Sequence, residues 1–127
     1  MAEFDTLVAA LRQWARDRDS QQVTAAVELL IWHEHWLRRK DFVTRCIRTI
    51  GGATVIRWAN AREFSDWVTE GGSDAPRAST SEAAILDLAV ALGEDRFRLA
   101  NFGTAHRQAV ARAVAAAVGL ADPREVS

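Results

Sequence analysis

The sequence has a single cysteine, a single lysine and no long apolar run, and each shortage excludes something. Cys46 has no second thiol to pair with, so an internal disulfide framework is ruled out and a reducing compartment fits. The longest uncharged stretches, among them Ser20–Val27 and Ala113–Ala121, are too short to span a bilayer. The opening MAEFD is acidic and lacks the basic-then-apolar layout of a signal peptide. The expectation is a soluble, cytoplasmic protein that does not engage membranes. Lys40 stands alone against many arginines and alanine is abundant, a bias that suggests a high-GC genome.

What is present is globular. Of the 127 residues, 49% are hydrophobic and 26% charged, with a net charge of −1, too apolar and too balanced for a disordered chain. The length fits one domain spanning 1–127, able to bury a core without staples. Within it, 71–78 (GGSDAPRA) reads as a flexible loop and 120–127 as a short tail.

The stretch from Val23 to Trp36 organises the rest. Val23, Val27 and Leu30 recur at helical spacing, and Leu29, Trp32 and Trp36 do so on a neighbouring face. A helix apolar around so much of its girth needs partners on several sides. The sequence therefore predicts a mainly α single compact bundle of five or six helices around a helix over 20–39. Asp19 and Gln22 suggest a capping box for that helix, as Ser79 and Glu82 do for one running to Leu92. A first helix over 3–18 presents Phe4, Leu7, Leu11 and Trp14. A short helix over 42–49, with Asp41 as its cap, turns Phe42, Cys46, Ile47 and Ile50 inward and stops at Gly51-Gly52. Asn60 caps a helix over 61–69. The helix ending at Gly93 turns Ile85, Leu88, Ala89 and Leu92 inward. Thr104 caps a last helix over 105–118. Residues 53–58 read as either strand or helix. If 53–58 and 96–100 are both strands, they form a small two-stranded ribbon.

No motif of catalysis or cofactor binding stands out. His33-Glu34-His35 lacks the HExxH spacing, because Leu37 stands where the second histidine belongs. In a continuous helix, residues two apart point about 200° from each other, so His33 and His35 do not converge, and His106 is remote in sequence. No second cysteine completes a zinc site. Cys46 falls on an apolar face, away from the electropositive setting a nucleophilic thiol needs. There is no GxSxG elbow, Ser73 lies in a loop, and the Gly-Gly pairs lack the phosphate-loop fingerprint. The expectation is no metal, no cofactor and no enzymatic activity.

Charge is laid out unevenly. Residues 1–37 carry net −3, residues 38–62 net +6 and residues 63–127 net −4. Arg38, Arg39, Lys40, Arg45, Arg48, Arg57 and Arg62 make a candidate basic surface suited to phosphates, with Arg45 and Arg48 on one exposed helical face. Trp32 and Trp36 are the candidate protein interface, since tryptophan is favoured at interface centres. The leading expectation is a small non-enzymatic interaction protein that binds a protein partner or forms a homo-oligomer. A phage or mobile-element accessory or inhibitor of a high-GC host fits its size. The alternative is a nucleic-acid-binding protein using 38–62.

Overall fold

The computed structural model describes residues 2–95 and 102–119. In chain order the elements are α1 (Ala2–Arg18), α2 (Gln21–His33), α3 (Lys40–Cys46), β1 (Ile47–Ile50), β2 (Ala53–Ile56), α4 (Trp58–Glu70), α5 (Thr80–Gly93) and α6 (Thr104–Ala117). The mainly α bundle with a small ribbon is what the sequence predicts. The chain forms two compact units, Met1–Arg96 and Phe97–Ser127.

In the first unit, α2 packs against α1 and α5, and α4 packs against α3 and α5. Val23, Ala26, Val27 and Leu30 supply the buried stripe of α2, at the i, i+3, i+4, i+7 spacing of an amphipathic helix. Leu11 and Ala15 of α1 meet them, with Phe4, Leu7 and Trp14 packed at the margin. Ala61 and Phe64 of α4 and Leu86, Ala89 and Val90 of α5 complete the core.

The helix expected over 20–39 is broken. Ser20, not Asp19, caps α2, accepting from the Val23 amide at 3.2 Å, while Asp19 sits at φ +52° in the preceding turn. The helix stops at Glu34, which takes φ +63° and donates its amide to the Leu30 carbonyl at 2.9 Å. The break has a packing cause. Residues 32 and 36 share a face in a continuous helix. Here Trp32 is 76% exposed and Trp36 0% exposed, because the turn over 35–38 swings Trp36 into the core. Its indole N–H donates to the Glu82 carbonyl of α5 at 3.0 Å.

The ribbon is displaced from its expected place. Helix α3 ends at Cys46, and Ile47–Ile50 pairs antiparallel with Ala53–Ile56, Ile47 opposite Ile56 and Ile50 opposite Ala53. Gly51 (φ +57°) and Gly52 (φ +84°) form the two-residue turn, both in the left-handed region that a tight hairpin requires. The pair that reads as a helix stop is a hairpin turn. Ile50, expected inward, is half exposed at the strand's end. Asp41 lies inside α3, where it accepts from the Phe42 amide at 2.8 Å and pairs with Arg39 at 2.7 Å. Arg57 stands as N-cap of α4, so Trp58 is helical and Asn60 is not a cap. Residues 96–100, the other half of the expected ribbon, lie outside the described residues, as does 120–127.

The capping box of α5 is present: Ser79 Oγ accepts from the Glu82 amide at 3.1 Å and Glu82 Oε1 from the Ser79 amide at 2.8 Å. Its buried face is Leu86, Ala89, Val90 and Gly93, one step round from the expected one, so Leu88 is 51% exposed. Residues 71–79 join α4 to α5 without regular structure. In the second unit α6 begins after Gly103 rather than Thr104, and Arg107 donates to the Phe102 carbonyl at 2.7 Å.

Gly93 does not stop α5 from outside; it is its last, buried residue. A Cβ there would lie 2.4 Å from the Trp58 ring, which itself leans on Trp14 with centroids 6.2 Å apart. Helix propensity alone favours alanine over glycine by about 1 kcal/mol. Overpacking costs typically about 1–3 kcal/mol and runs the other way. Gly93→Ala should therefore lower the urea-unfolding free energy; a gain in stability would show that Trp58 moves freely.

Candidate functional site

The seven cations of 38–62 divide by what they meet. Arg62 is clamped by Glu94 (3.0 Å), Asp87 (2.7 Å) and Asp66 (3.7 Å), a network that ties α4 to α5. Hydrogen bonds to Glu94 and Asp87 push its guanidinium pKa up despite partial burial. Arg38 pairs with Glu34 at 2.8 Å and lies 3.9 Å over the Phe4 ring. Arg39 pairs with Asp41, donates to the Arg77 carbonyl and covers the Trp36 ring at 4.9 Å. Burial raises the Asp41 carboxyl, but the bonds from Arg39 and the Phe42 amide outweigh it and hold it below its ordinary value. Lys40, Arg45, Arg48 and Arg57 have no carboxylate within 4.0 Å among the described residues.

Arg45 and Arg48 line one surface groove of about 440 Å³, together with Asn60, Glu63, Phe64 and Trp67. They do not share a helical face, as Arg48 belongs to β1. The tight α3-to-β1 join brings both to the same concavity. The Arg45 guanidinium lies 4.7 Å over the Trp67 ring, and Asn60 donates to the Arg45 carbonyl at 3.1 Å. Arg48 donates to the carbonyls of Thr44 and Ile47, the latter at 3.1 Å. The α4 contributors are absent from the sequence reading of the basic surface. The helical spacing of Phe64 and Trp67 marks them as inward, but nothing local in the sequence joins them to Arg45.

The histidines also differ from expectation. The break at Glu34 replaces the expected divergence of His33 and His35, and their rings come to 5.7 Å, tilted by 50°. His35 Nδ1 lies 3.3 Å from Glu82 and its ring meets the edge of Trp36 at 4.7 Å. Bonding to the Ser79 amide and the nearby His35 hold the Glu82 carboxyl below its ordinary value against desolvation. His33 Nδ1 and His35 Nε2 are buried without a hydrogen-bond partner among the described residues. Among those residues no group of three or more His, Cys, Asp or Glu is placed to hold a metal ion.

Cys46 is fully buried. Burial pushes its thiol up to about 12, outweighing the opposing pull of Arg48 and Arg45. Of the two candidate interface residues, Trp36 is core and Trp32 alone is on the surface, stacked on His33 at 6.4 Å. No helix among the described residues is long and apolar enough to cross a membrane.

No protein-family model matches the chain, and comparisons with curated proteins and with solved structures give no match.

Two outcomes are expected from this geometry. Arg62→Ala should lower the urea-unfolding free energy by about 1–2 kcal/mol, because it removes the cation that links α4 to Asp87 and Glu94, whereas Arg48→Ala should stay within about 0.5 kcal/mol. Equal losses would contradict the division of the cations. Cys46 in the native protein should react with a thiol reagent at pH 8 only as fast as the protein opens, and at once in denaturant. Rapid native labelling would contradict its burial.

Proposed function

We propose that the protein is a non-enzymatic interaction module that binds another protein chain through the surface centred on Trp32, with a second copy of itself as the first partner. The observation that carries this reading is the 76% exposure of the Trp32 indole, while Trp36, four residues on, is fully buried. Tryptophan is the side chain most enriched among the few residues that dominate interface energy. Tryptophan has only two side-chain torsions, so little rotamer freedom is lost when a partner covers it. Ile50 and Leu88 are half exposed, which is ordinary for single aliphatic side chains and carries no weight here.

Self-association is favoured by two general considerations. Most soluble oligomers are symmetric assemblies of one chain. A net charge of −1 leaves two copies with little long-range repulsion. The non-enzymatic reading is supported by the candidate reactive groups themselves: the only thiol is buried and protonated, and His35 is engaged by Glu82 and Trp36. The alternative, nucleic-acid binding by the whole basic segment 38–62, is weakened because Arg38, Arg39 and Arg62 pair with carboxylates of the same chain.

Sedimentation from low to high micromolar concentration tests the proposal. The wild-type mass should rise above the 14.0 kDa monomer with concentration. Trp32→Ala should return it to the monomer while leaving the thermal midpoint nearly unchanged, because an exposed side chain contributes little to folding. A wild-type protein that stays monomeric throughout would refute self-association and leave the Trp32 surface to a different protein partner.

A further inference from the structure

We propose that the groove between α3, β1 and α4 is a binding site for a phosphate group, held between the guanidinium groups of Arg45 and Arg48. This is independent of the Trp32 surface. The groove's volume of about 440 Å³ falls within the range of small-ligand sites.

Both cations are held in place without being neutralised. The Arg45 guanidinium lies 4.7 Å over the Trp67 ring, a cation–π contact that engages no N–H donor in a hydrogen bond and so leaves them for a ligand. Asn60 pins the backbone beneath it by donating to the Arg45 carbonyl. Arg48 is anchored through one nitrogen, Nη1, by the carbonyls of Thr44 and Ile47. A guanidinium has five N–H donors, so this anchoring leaves others unused. The contrast with Arg62 is direct: three carboxylates converge on that guanidinium, and none comes within 4.0 Å of Arg45 or Arg48 among the described residues.

Two arginines lining one groove specify the ligand class. One planar carboxylate is satisfied by a single arginine fork. A phosphomonoester offers three terminal oxygens and nearly two charges, and a backbone diester two free oxygens and one charge; either has enough acceptors to bond both arginines at once. Glu63 lines the same groove and opposes an incoming anion. Its charge gives the proposal a signed test. Removing Glu63's charge should strengthen phosphate binding, and removing that of Arg48 should weaken it.

The phosphate has two sources to be told apart, a small phosphorylated molecule and a nucleic-acid backbone. The full-length ¹⁵N-labelled protein is titrated with inorganic phosphate, and separately with a short oligothymidylate, against sodium chloride at matched ionic strength. The signals followed are the Arg45 and Arg48 Nε–H and Trp67 indole resonances. Phosphate should shift them saturably where chloride does not. Arg48→Ala should weaken the binding by about tenfold or more, as loss of a charge-assisted bond does. Glu63→Gln should tighten it a few-fold, about what one unit charge at this range contributes in water. The spectra of the variants report directly whether they remain folded. Shifts with both ligands support the site and make the nucleic-acid backbone its source; shifts with inorganic phosphate alone support it with a small phosphorylated molecule as source. No groove shifts beyond the chloride control, or shifts that neither variant alters, would overturn the proposal.

Discussion

The burial of the Trp36 indole is the constraint on which the rest of the first unit depends. The ring sits among Phe42 of α3 (6.1 Å), Phe64 of α4 (5.8 Å) and His35 (4.7 Å), with the Arg39 guanidinium over it and its N–H bonded to the first turn of α5. Leaving a buried indole N–H unpaired is costly, and the Glu82 carbonyl pairs with that of Trp36. To bring the ring there, α2 must end at Glu34 in a left-handed residue that is uncommon outside glycine, asparagine and aspartate. The contacts of one side chain thus offset local backbone strain. The same turn sets the direction of α3 and hence of the hairpin that follows, and it leaves Trp32 outside.

The helices of the first unit are legible in the sequence where both the apolar spacing and the cap are local. Phe4, Leu7, Leu11 and Trp14 mark α1, and Ser79 with Glu82 marks the start of α5. The stretch after Phe42 is not legible in the same way. Phe42, Cys46, Ile47 and Ile50 continue at helical spacing, and Gly51-Gly52 serves equally as a helix stop or a hairpin turn. What decides for the hairpin is pairing with Ala53–Ile56, a tertiary preference that overrides local pattern. The break at Glu34 is hidden for a related reason. Nothing in Trp32-His33-Glu34-His35-Trp36 is a helix breaker, and the reason for the turn lies in α4 and α5.

The candidate sites follow the same division. The excess of positive charge over 38–62 is a sequence property, but its effective part is not. Acids from distant positions, Asp87 and Glu94, remove Arg62 from it, and Glu34 and Asp41 remove Arg38 and Arg39. The cations left over are identified only by knowing where every carboxylate lies. The two tryptophans of α2 and its turn show the same limit. Equal in residue type and four apart, they differ in exposure because the chain changes direction between them.

The contact between Gly93 and Trp58 has a consequence for how this sequence can change over generations. With the large ring in place, a side chain at position 93 is disfavoured, although alanine is otherwise the better helix former. Were Trp58 first replaced by a smaller residue, a methyl group at 93 would help refill the space. The two positions are therefore ordered in time. A change at 58 opens the way to one at 93, and once 93 has gained its methyl group the return of tryptophan at 58 is blocked. A return must take the reverse order, glycine at 93 before tryptophan at 58, so each substitution's effect depends on the residue across from it.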